Sequence, residues 1–189
     1  MMDATAQSPF HRGERDVQTR LGVRESVEDI GQRFIRDHLP EQHKAFFSQL
    51  PFVLIGAVDT LGRPWASILM GRPGFVDSPD PQSLRINTRL VFGDPLNGLL
   101  SKGTEVGLLG IEYDSRRRNR LTGKVAEYSD QSITIKIDQT FGNCPQYIQS
   151  RDYELLPEIE AIGKPLATTQ IRSLNDRAQE IITTADHFY

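Results

Sequence analysis

Residues 132–138 alternate polar and apolar side chains without an exception, as Ser-Ile-Thr-Ile-Lys-Ile-Asp. A period of two is typical of a strand with one face toward a core and the other toward water. Turn residues separate five further strand-like segments, which are residues 52–58, 65–70, 83–88, 105–112 and 120–128. Few helical segments intervene, so antiparallel pairing is favoured. The sequence therefore predicts a mainly β protein, a Greek-key-like antiparallel β-barrel with flanking helices.

The predicted helices lie before and after these strands and in one connection between them. Ser26, with Asp29 three residues later, approximates a capping box and would begin the first helix. Its apolar residues recur at helical spacing and should face inward, namely Val27, Ile30 and Phe34. Further helices are predicted over residues 40–50, after Asp94, from residue 147 to 151 and over residues 171–182.

We predict one domain with an appendage at each end, because a chain of 189 residues can bury one sizeable core. Residues 1–24 are polar and irregular, and would form either a floppy arm or an arm that wraps a partner subunit. The barrel and its N-terminal helices would occupy residues 25–155. Residues 156–189 would form a C-terminal helical extension.

Composition excludes several classes of function. The net charge of −3 gives no general attraction to nucleic acid. The longest apolar run, residues 52–58, is too short to span a bilayer. The first residues lack the basic and apolar regions of a secretory signal, and a single cysteine excludes an intramolecular disulfide. We therefore expect a cytoplasmic protein that binds neither nucleic acid nor membrane.

Residues 140–147 combine features that a plain connecting loop does not need. The segment holds Gly142, Pro145, two aromatic residues, two amide side chains and the single cysteine, Cys144. No basic residue lies within two positions of the cysteine and no second cysteine could resolve an oxidised thiol, so a packing role is favoured over a nucleophilic or redox role. The amides of Asn143 and Gln146 can donate and accept hydrogen bonds. The segment is interpreted as part of a site.

A basic run, residues 114–120, contains Arg116, Arg117, Arg118 and Arg120. Guanidinium groups offer paired donors in a fixed geometry that suits a phosphate. A solvated surface turn is the alternative for an isolated charge run, and both readings stay open.

No catalytic or metal-binding constellation is predicted. The histidines, His11, His38, His43 and His187, have no helical i, i+4 pair and are expected at the surface or at helix ends. Ser67 lies within a predicted strand and not in a nucleophile elbow. The glycines have neither the dinucleotide-binding nor the Walker spacing. Trp65 could pack in the core or stack on a planar ring.

Several segments in order resemble the pyridoxamine 5′-phosphate oxidase-like, FMN-binding split-barrel superfamily. They are residues 52–69, residues 84–88, the segment after Asp94 and residues 118–127. Residues 141–147, together with residues 10–14, resemble a subgroup of predicted flavin-nucleotide-binding proteins. The resemblance covers about residues 10–155.

The resemblance implies a homodimer of split barrels with FMN bound at the interface. The second strand would run along the flavin ring, the next strand would supply polar contacts, and the basic run and residues 141–147 would lie close by. The implied cofactor-binding residues are Trp65, Ala66, Ser67, Ile68, Leu69, Asn87, Thr88, Arg89, Arg117, Arg118, Arg120, Asn143 and Gln146.

The sequence departs from true pyridoxamine 5′-phosphate oxidases. Those resemble Arg-x-x-Leu-Leu-Lys on the second strand, whereas residues 65–70 are Trp-Ala-Ser-Ile-Leu-Met. Oxidation of vitamin B6 is therefore not expected. The phosphate of the flavin would instead bind to the arginine run or to Arg72. The leading hypothesis is an FMN-dependent oxidoreductase acting on a small molecule. The alternatives are a non-catalytic flavin-binding or carrier module that works with a separate reductase, and a dimeric scaffold that has lost its cofactor.

Overall fold

The computed structural model describes residues 8–155 and 171–185 and confirms a mainly β protein with flanking helices. The helices are α1 (Arg12–Arg20), α2 (Arg24–Phe34), α3 (Glu41–Gln49) and α4 (Asp176–Thr184). The strands are β1 (Phe52–Val58), β2 (Pro64–Met70), β3 (Val76–Asp77), β4 (Ser83–Ile86), β5 (Glu105–Glu112), β6 (Arg117–Tyr128) and β7 (Ile133–Asn143). Among the described helices, none has the length and apolar character needed to cross a bilayer.

The seven strands form one curled antiparallel sheet in the order β2-β1-β5-β6-β7-β4-β3. Two hairpins, β1–β2 and β3–β4, flank the β5-β6-β7 meander. The β1–β5 and β4–β7 pairs join strands that are distant in sequence, which produces the Greek-key-like order. In the described chain β2 and β3 are the edges of the sheet, so one side of each strand carries backbone groups that no neighbouring strand pairs.

Helix α3 covers one end of the core. Its side chains Phe46 and Phe47 are at most 1% exposed and stack edge-to-face with ring centroids 5.2 Å apart. They pack over Gly110 of β5, where an added Cβ would lie 2.8 Å from Phe46 and 2.9 Å from Phe47. The glycine therefore permits the close approach of helix and sheet.

The outer face of the sheet, which points away from this core, is also apolar. Ile68, Leu54 and Leu109 are neighbours on three adjacent strands and are half-buried. Beside them, Gly56 and Gly107 pair directly and leave the surface flat. Apolar residues thus occupy both faces of β1, as its composition predicts.

Helix α1 lies where the sequence predicts an irregular arm. His11 caps it by accepting from the backbone N–H of Glu14 at 3.3 Å, and the Glu14 carboxylate accepts from the His11 backbone N–H at 2.9 Å. This reciprocal pair is a capping box with histidine in place of serine or threonine, a residue that the usual signature omits.

Helix α2 differs from its prediction in start and orientation. It begins at Arg24, and the Ser26 hydroxyl donates back to the Val23 carbonyl at 3.0 Å, so Ser26 is not the cap. Ile30 and Phe34 are 56% and 63% exposed, which makes the predicted inward face wrong. The covered position is Gly31, against which the ring of a residue preceding α1 packs.

Three other predicted helices also differ. Residues 92–99 form hydrogen-bonded turns and residues 147–151 form no helix. The terminal helix starts at Asp176 rather than at residue 171, with the Asn175 side chain as its cap. Strand β7 runs to Asn143 and β6 begins at Arg117, so half of the predicted loop and half of the arginine run belong to strands. Residues 156–170 and 186–189 of the predicted C-terminal extension lie outside the described residues.

Candidate functional site

A cleft of about 650 Å³ opens at the C-terminal end of the edge strand β2. We call it the Arg72–Arg89 cleft, after the two guanidinium groups that line it. Its lining residues come from three segments, residues 70–75, residues 87–89 and the β6–β7 turn with Asp130 and Gln131. Asp130 is the single acid among these lining residues, so the cleft carries a net positive charge.

A tight turn builds one wall of the cleft. The Phe75 backbone N–H donates to the Arg72 carbonyl at 2.9 Å, with Pro73 and Gly74 between them. Gly74 has φ +97°, which completes the type II pattern of proline followed by a residue with positive φ. The Gly74 N–H donates to the Ser48 carbonyl at 2.6 Å, which attaches the turn to the core-packed helix α3. Arg72 is therefore placed by a rigid turn.

Residues 87–89 form the opposite wall, beside the end of β2. Thr88 Oγ1 donates to the Met70 carbonyl at 2.8 Å. Asn87 is held by its backbone N–H to the Phe75 carbonyl at 2.6 Å and by its side chain to Asp77 Oδ2 at 2.9 Å. These bonds fix the segment and leave Arg89 exposed at the cleft. The structure thus places Arg89 and the two polar residues before it beside the end of β2.

The five predicted residues on β2 separate into groups. Ala66 and Ile68 lie on the outer face, where they pair with Gly56 and Leu54. Ser67 and Leu69 point into the core and are 9% and 0% exposed. Only the backbone of these two residues could contact a ligand along the strand edge.

Ser67 is bound inside the core. Its hydroxyl donates to Asp94 Oδ1 at 2.7 Å, and the same oxygen accepts from the Leu96 backbone N–H at 2.8 Å. We expect Ser67→Ala to lower the free energy of unfolding by about 1–2 kcal/mol, because a buried carboxylate oxygen loses a donor. Affinity for FMN, the cofactor that the resemblance implies, should change by less than about twofold, since the hydroxyl faces away from the outer surface. Urea unfolding and a flavin titration measure the two quantities, and the opposite pattern would contradict this placement.

Trp65 lies far from the Arg72–Arg89 cleft, at the other end of β2, about 17 Å away for five residues of strand. Its indole N–H donates to Asp59 Oδ2 at 3.0 Å, and Arg63 lies over the ring at 5.6 Å from its centroid. The hydrogen bonds from Trp65 and Arg63 hold the pKa of Asp59 well below its usual range. Trp65 borders a shallow surface with Gly56 and other residues of the central strands. The Trp65 side chain is therefore held in place by Asp59 and Arg63 of the β1–β2 turn.

The arginine run lines a different pocket, of about 310 Å³, at the N-terminal end of β6. We call it the His43–Asn119 pocket. Arg117 and Arg118 line it together with Asn143, and three of the predicted site residues therefore lie here and not at the cleft. The Arg117 guanidinium lies 5.1 Å from the centroid of the Phe46 ring, and an Arg118 terminal nitrogen donates to the Cys144 carbonyl at 3.1 Å.

Besides the five residues on β2, two predicted site residues line neither the cleft nor this pocket. Arg120 is exposed on the outer face, between Leu109 and Phe141 on the adjacent strands. Gln146 is exposed, and its backbone N–H donates to Cys144 Sγ at 3.4 Å. Cys144 itself is exposed, so the prediction that it is a packed residue is wrong. The chain leaves the sheet after Asn143, and the cysteine therefore has no core to pack into.

Among the described histidines, His43 lies at a helix end, as the sequence predicts, but is buried there. It lies on α3, is 6% exposed and faces the His43–Asn119 pocket. Burial, together with the positive charges of Arg36 and Arg117, lowers its pKa below the ordinary value. Within residues 8–155 and 171–185, no three His, Cys, Asp or Glu side chains are grouped closely enough to hold a metal ion.

The depressed pKa of His43 predicts an acid-sensitive fold. The unfolded chain takes up this proton at higher pH than the folded chain, so stability is present above the unfolded pKa of 6.5 and is lost as pH falls below it. We expect the thermal midpoint of wild type to fall more between pH 7 and pH 5 than that of His43→Gln. Parallel pH profiles for the two proteins would contradict this expectation.

Sequence reasoning missed several lining residues. Asp130 and Gln131 lie in the β6–β7 turn, and this turn borders residues 70–75 and 87–89 only because of the sheet order, which no local pattern specifies. His43 and Asn119 reach their pocket through the packing of α3 on the sheet, which no local pattern specifies. The Pro73-Gly74 pair was a readable signal for the turn that presents Arg72.

No protein-family model matches the sequence, and no curated protein matches it. Two crystal structures of HupZ from Group A Streptococcus are similar to the chain at 10% identity. One covers 60% of this chain and 100% of that chain with a TM-score of 0.43; the other, a variant, covers 55% and 98% with a TM-score of 0.42. An F420 reductase matches 56% of this chain and 97% of its own at 10% identity, with a TM-score of 0.32. Likenesses of this size identify no activity for this chain.

Proposed function

We propose that the protein is an FMN-binding flavoprotein whose Arg72–Arg89 cleft holds the cofactor phosphate. The observation that carries the proposal is that two arginines, a threonine and an asparagine line one cleft at the end of an edge strand. Arginine binds phosphate through paired, charge-assisted hydrogen bonds. The sequence assigns this phosphate to the arginine run or to Arg72. We assign it to Arg72 and Arg89, because Arg117 and Arg118 line another pocket.

The residues present fit FMN. The cleft volume of about 650 Å³ lies in the range of small-molecule sites. Met70 and Phe75 supply apolar walls, and the edge of β2 supplies backbone donors and acceptors for the polar side of a flat ring system. Ala66 is small and Gly56 beside it has no side chain, so a planar group can approach this part of the sheet closely.

When bound, FMN supplies hydride- and electron-transfer chemistry. The protein's own contribution is orientation: the Pro73-Gly74 turn fixes Arg72, and the Thr88 hydrogen bond to the Met70 carbonyl fixes the segment that carries Arg89. We therefore favour an oxidoreductase that acts on a small molecule, with the cofactor as the reacting group.

A carrier module that works with a separate reductase is the second candidate. It is favoured by one observation, which is that the cleft lining contains no histidine, cysteine or tyrosine, and Asp130 is its single acid. A site of this composition offers little general acid–base catalysis.

We further propose a homodimer formed through the outer face of the sheet. Ile68, Leu54 and Leu109 make an apolar row on that face. Met70, which lines the cleft, lies on the same face beside Phe52, so a second copy placed there would border the cofactor site. Light scattering during size-exclusion chromatography should give twice the 21.3 kDa of the chain, and a monomer at all concentrations would contradict the dimer.

Absorption spectroscopy tests the cofactor proposal and separates its two forms. We expect FMN titration to give saturable binding, with the flavin bands shifted from those of free FMN. Fast reduction of the bound flavin by NADH or NADPH alone would support the oxidoreductase, whereas reduction only after a reductase is added would support the carrier. Unshifted bands and no saturation would leave only the scaffold that has lost its cofactor.

A further inference from the structure

Four buried polar atoms surround the His43–Asn119 pocket without a hydrogen-bond partner among the described residues. They are His43 Nδ1, Arg118 Nε, Asn119 Nδ2 and Asn143 Oδ1. One further atom of this kind in the described chain, Asp77 Oδ1, lies outside this pocket. Buried polar groups are hydrogen-bonded in the great majority of cases, because each group without a partner destabilises the fold. Four such atoms around one pocket indicate a site for a ligand.

Three separate elements converge on this pocket. His43 comes from α3, Arg118 and Asn119 from the start of β6, and Asn143 from the end of β7. His43 and Asn119 are each 6% exposed, so their polar atoms are shielded from bulk water on most sides. Gly142 faces the Asn119 amide, and an added Cβ there would lie 3.3 Å from Asn119 Oδ1. Gly142, which belongs to residues 140–147, therefore leaves room for the Asn119 side chain.

The charge of the pocket specifies the class of ligand. Arg116, Arg117 and Arg118 all line it, and no acid is among its lining residues. One terminal nitrogen of Arg118 already donates to the Cys144 carbonyl, while Arg118 Nε has no partner among the described residues. A donor on a permanent cation, next to a buried amide donor, favours a negatively charged acceptor oxygen.

We propose that the His43–Asn119 pocket binds the oxyanion group, phosphate or carboxylate, of a small molecule. Arg118 Nε and Asn119 Nδ2 donate to its oxygens, His43 Nδ1 donates in the tautomer that carries its proton there, and Asn143 Oδ1, which only accepts, takes a hydrogen bond from a hydroxyl of the same molecule. The pocket shares no lining residue with the Arg72–Arg89 cleft, so it is a second site whose occupancy does not depend on the cofactor.

Nuclear magnetic resonance of ¹⁵N-labelled full-length protein tests the site locally. Inorganic phosphate and acetate are titrated separately, and the side-chain amide signals of Asn119 and Asn143 are followed. Saturable shifts with phosphate alone support a phosphate ligand, shifts with acetate alone support a carboxylate, and shifts with both support either oxyanion. Absence of a saturable shift with both anions would overturn the proposal.

Variants separate binding from folding. Asn119→Leu replaces a buried amide whose Nδ2 has no hydrogen-bond partner among the described residues by an apolar side chain of similar size, so the thermal midpoint should stay equal or rise. Its phosphate affinity, read from the Asn143 amide, should fall roughly 10- to 100-fold, as should that of Arg118→Met. Lys124→Met removes one positive charge from the same strand outside the pocket and should change affinity less than about twofold.

The two sites are distinguishable by a crossed comparison. Arg89→Met should weaken FMN binding and leave the phosphate-induced shift of Asn119 unchanged. Failure of the cofactor proposal would appear as absent FMN binding with the Asn119 shift still present. Equal anion affinities in wild type, Asn119→Leu and Arg118→Met would overturn the second site, whatever the outcome for FMN.

Discussion

Gly123→Ala should destabilise the protein by about 3 kcal/mol or more, one of the largest effects that a single added methyl group can have. Gly123 lies on β6 at a register shift against β7. An added Cβ would lie 2.1 Å from the Lys136 carbonyl oxygen and 3.0 Å from Ile135 Cγ2. The first contact is with backbone, which cannot move aside as a flexible side chain can. Relief requires a shift of the β6–β7 pairing, the most extensive in the sheet.

The matched control is Gly107→Ala. Gly107 pairs with the residue before Gly123, but an added Cβ there meets nothing within 4 Å. We expect a change of less than about 0.5 kcal/mol. Thermal unfolding at one protein concentration should show a midpoint about 6–12 °C lower for Gly123→Ala, since 1 kcal/mol corresponds to roughly 2–4 °C in a chain of this size. Equal midpoints for the two variants would contradict the close approach of Gly123 to the β7 backbone at this register shift.

Replacement of both cleft arginines, Arg72→Met with Arg89→Met, should weaken FMN binding roughly 100-fold or more. A hydrogen bond to a charged group contributes about 1.5–3 kcal/mol, and each 1.4 kcal/mol is a factor of ten in affinity. Both side chains are exposed, and methionine keeps much of their apolar stem. Flavin fluorescence titration gives the affinity of each protein.

Arg33→Met serves as the control, because Arg33 is exposed on α2 and lines neither the cleft nor the His43–Asn119 pocket. Its FMN affinity should match that of wild type within about twofold. Loss of affinity in Arg33→Met equal to that in the double variant would point to general charge attraction. Unchanged affinity in the double variant would remove the cleft as the phosphate site.

The strands were readable from the sequence because their patterns are local. Phe52–Val58 and Glu105–Glu112 have the predicted bounds, and β7 begins within one residue of its prediction. Turn residues and a period of two specify such strands without knowledge of their partners. Of the strand ends that differ here, Arg117 pairs with Glu112 of β5 and Asn143 pairs with Arg118 of β6, and pairing between strands is a property of the fold.

The limit of what the sequence alone can predict is clearer for the helices and the candidate site. Ile30 and Phe34 have helical spacing, yet tertiary contact covers Gly31 instead. The resemblance assigns both Arg89 and the arginine run to one cofactor, whereas the structure puts Arg89 at the cleft beside the β6–β7 turn and the run at the opposite ends of β6 and β7. Residue types predict anion binding for both arginine groups, but only the fold separates one group from the other.

The most direct measurement compares the affinities of the wild-type protein for FMN and for riboflavin, which carries the same ring and sugar chain without the phosphate. If Arg72 and Arg89 hold the phosphate, FMN should bind roughly 100-fold more tightly than riboflavin, and the ratio should fall toward one in the double variant. Equal affinities for the two flavins in wild type, or an unchanged ratio in the double variant, would contradict the account.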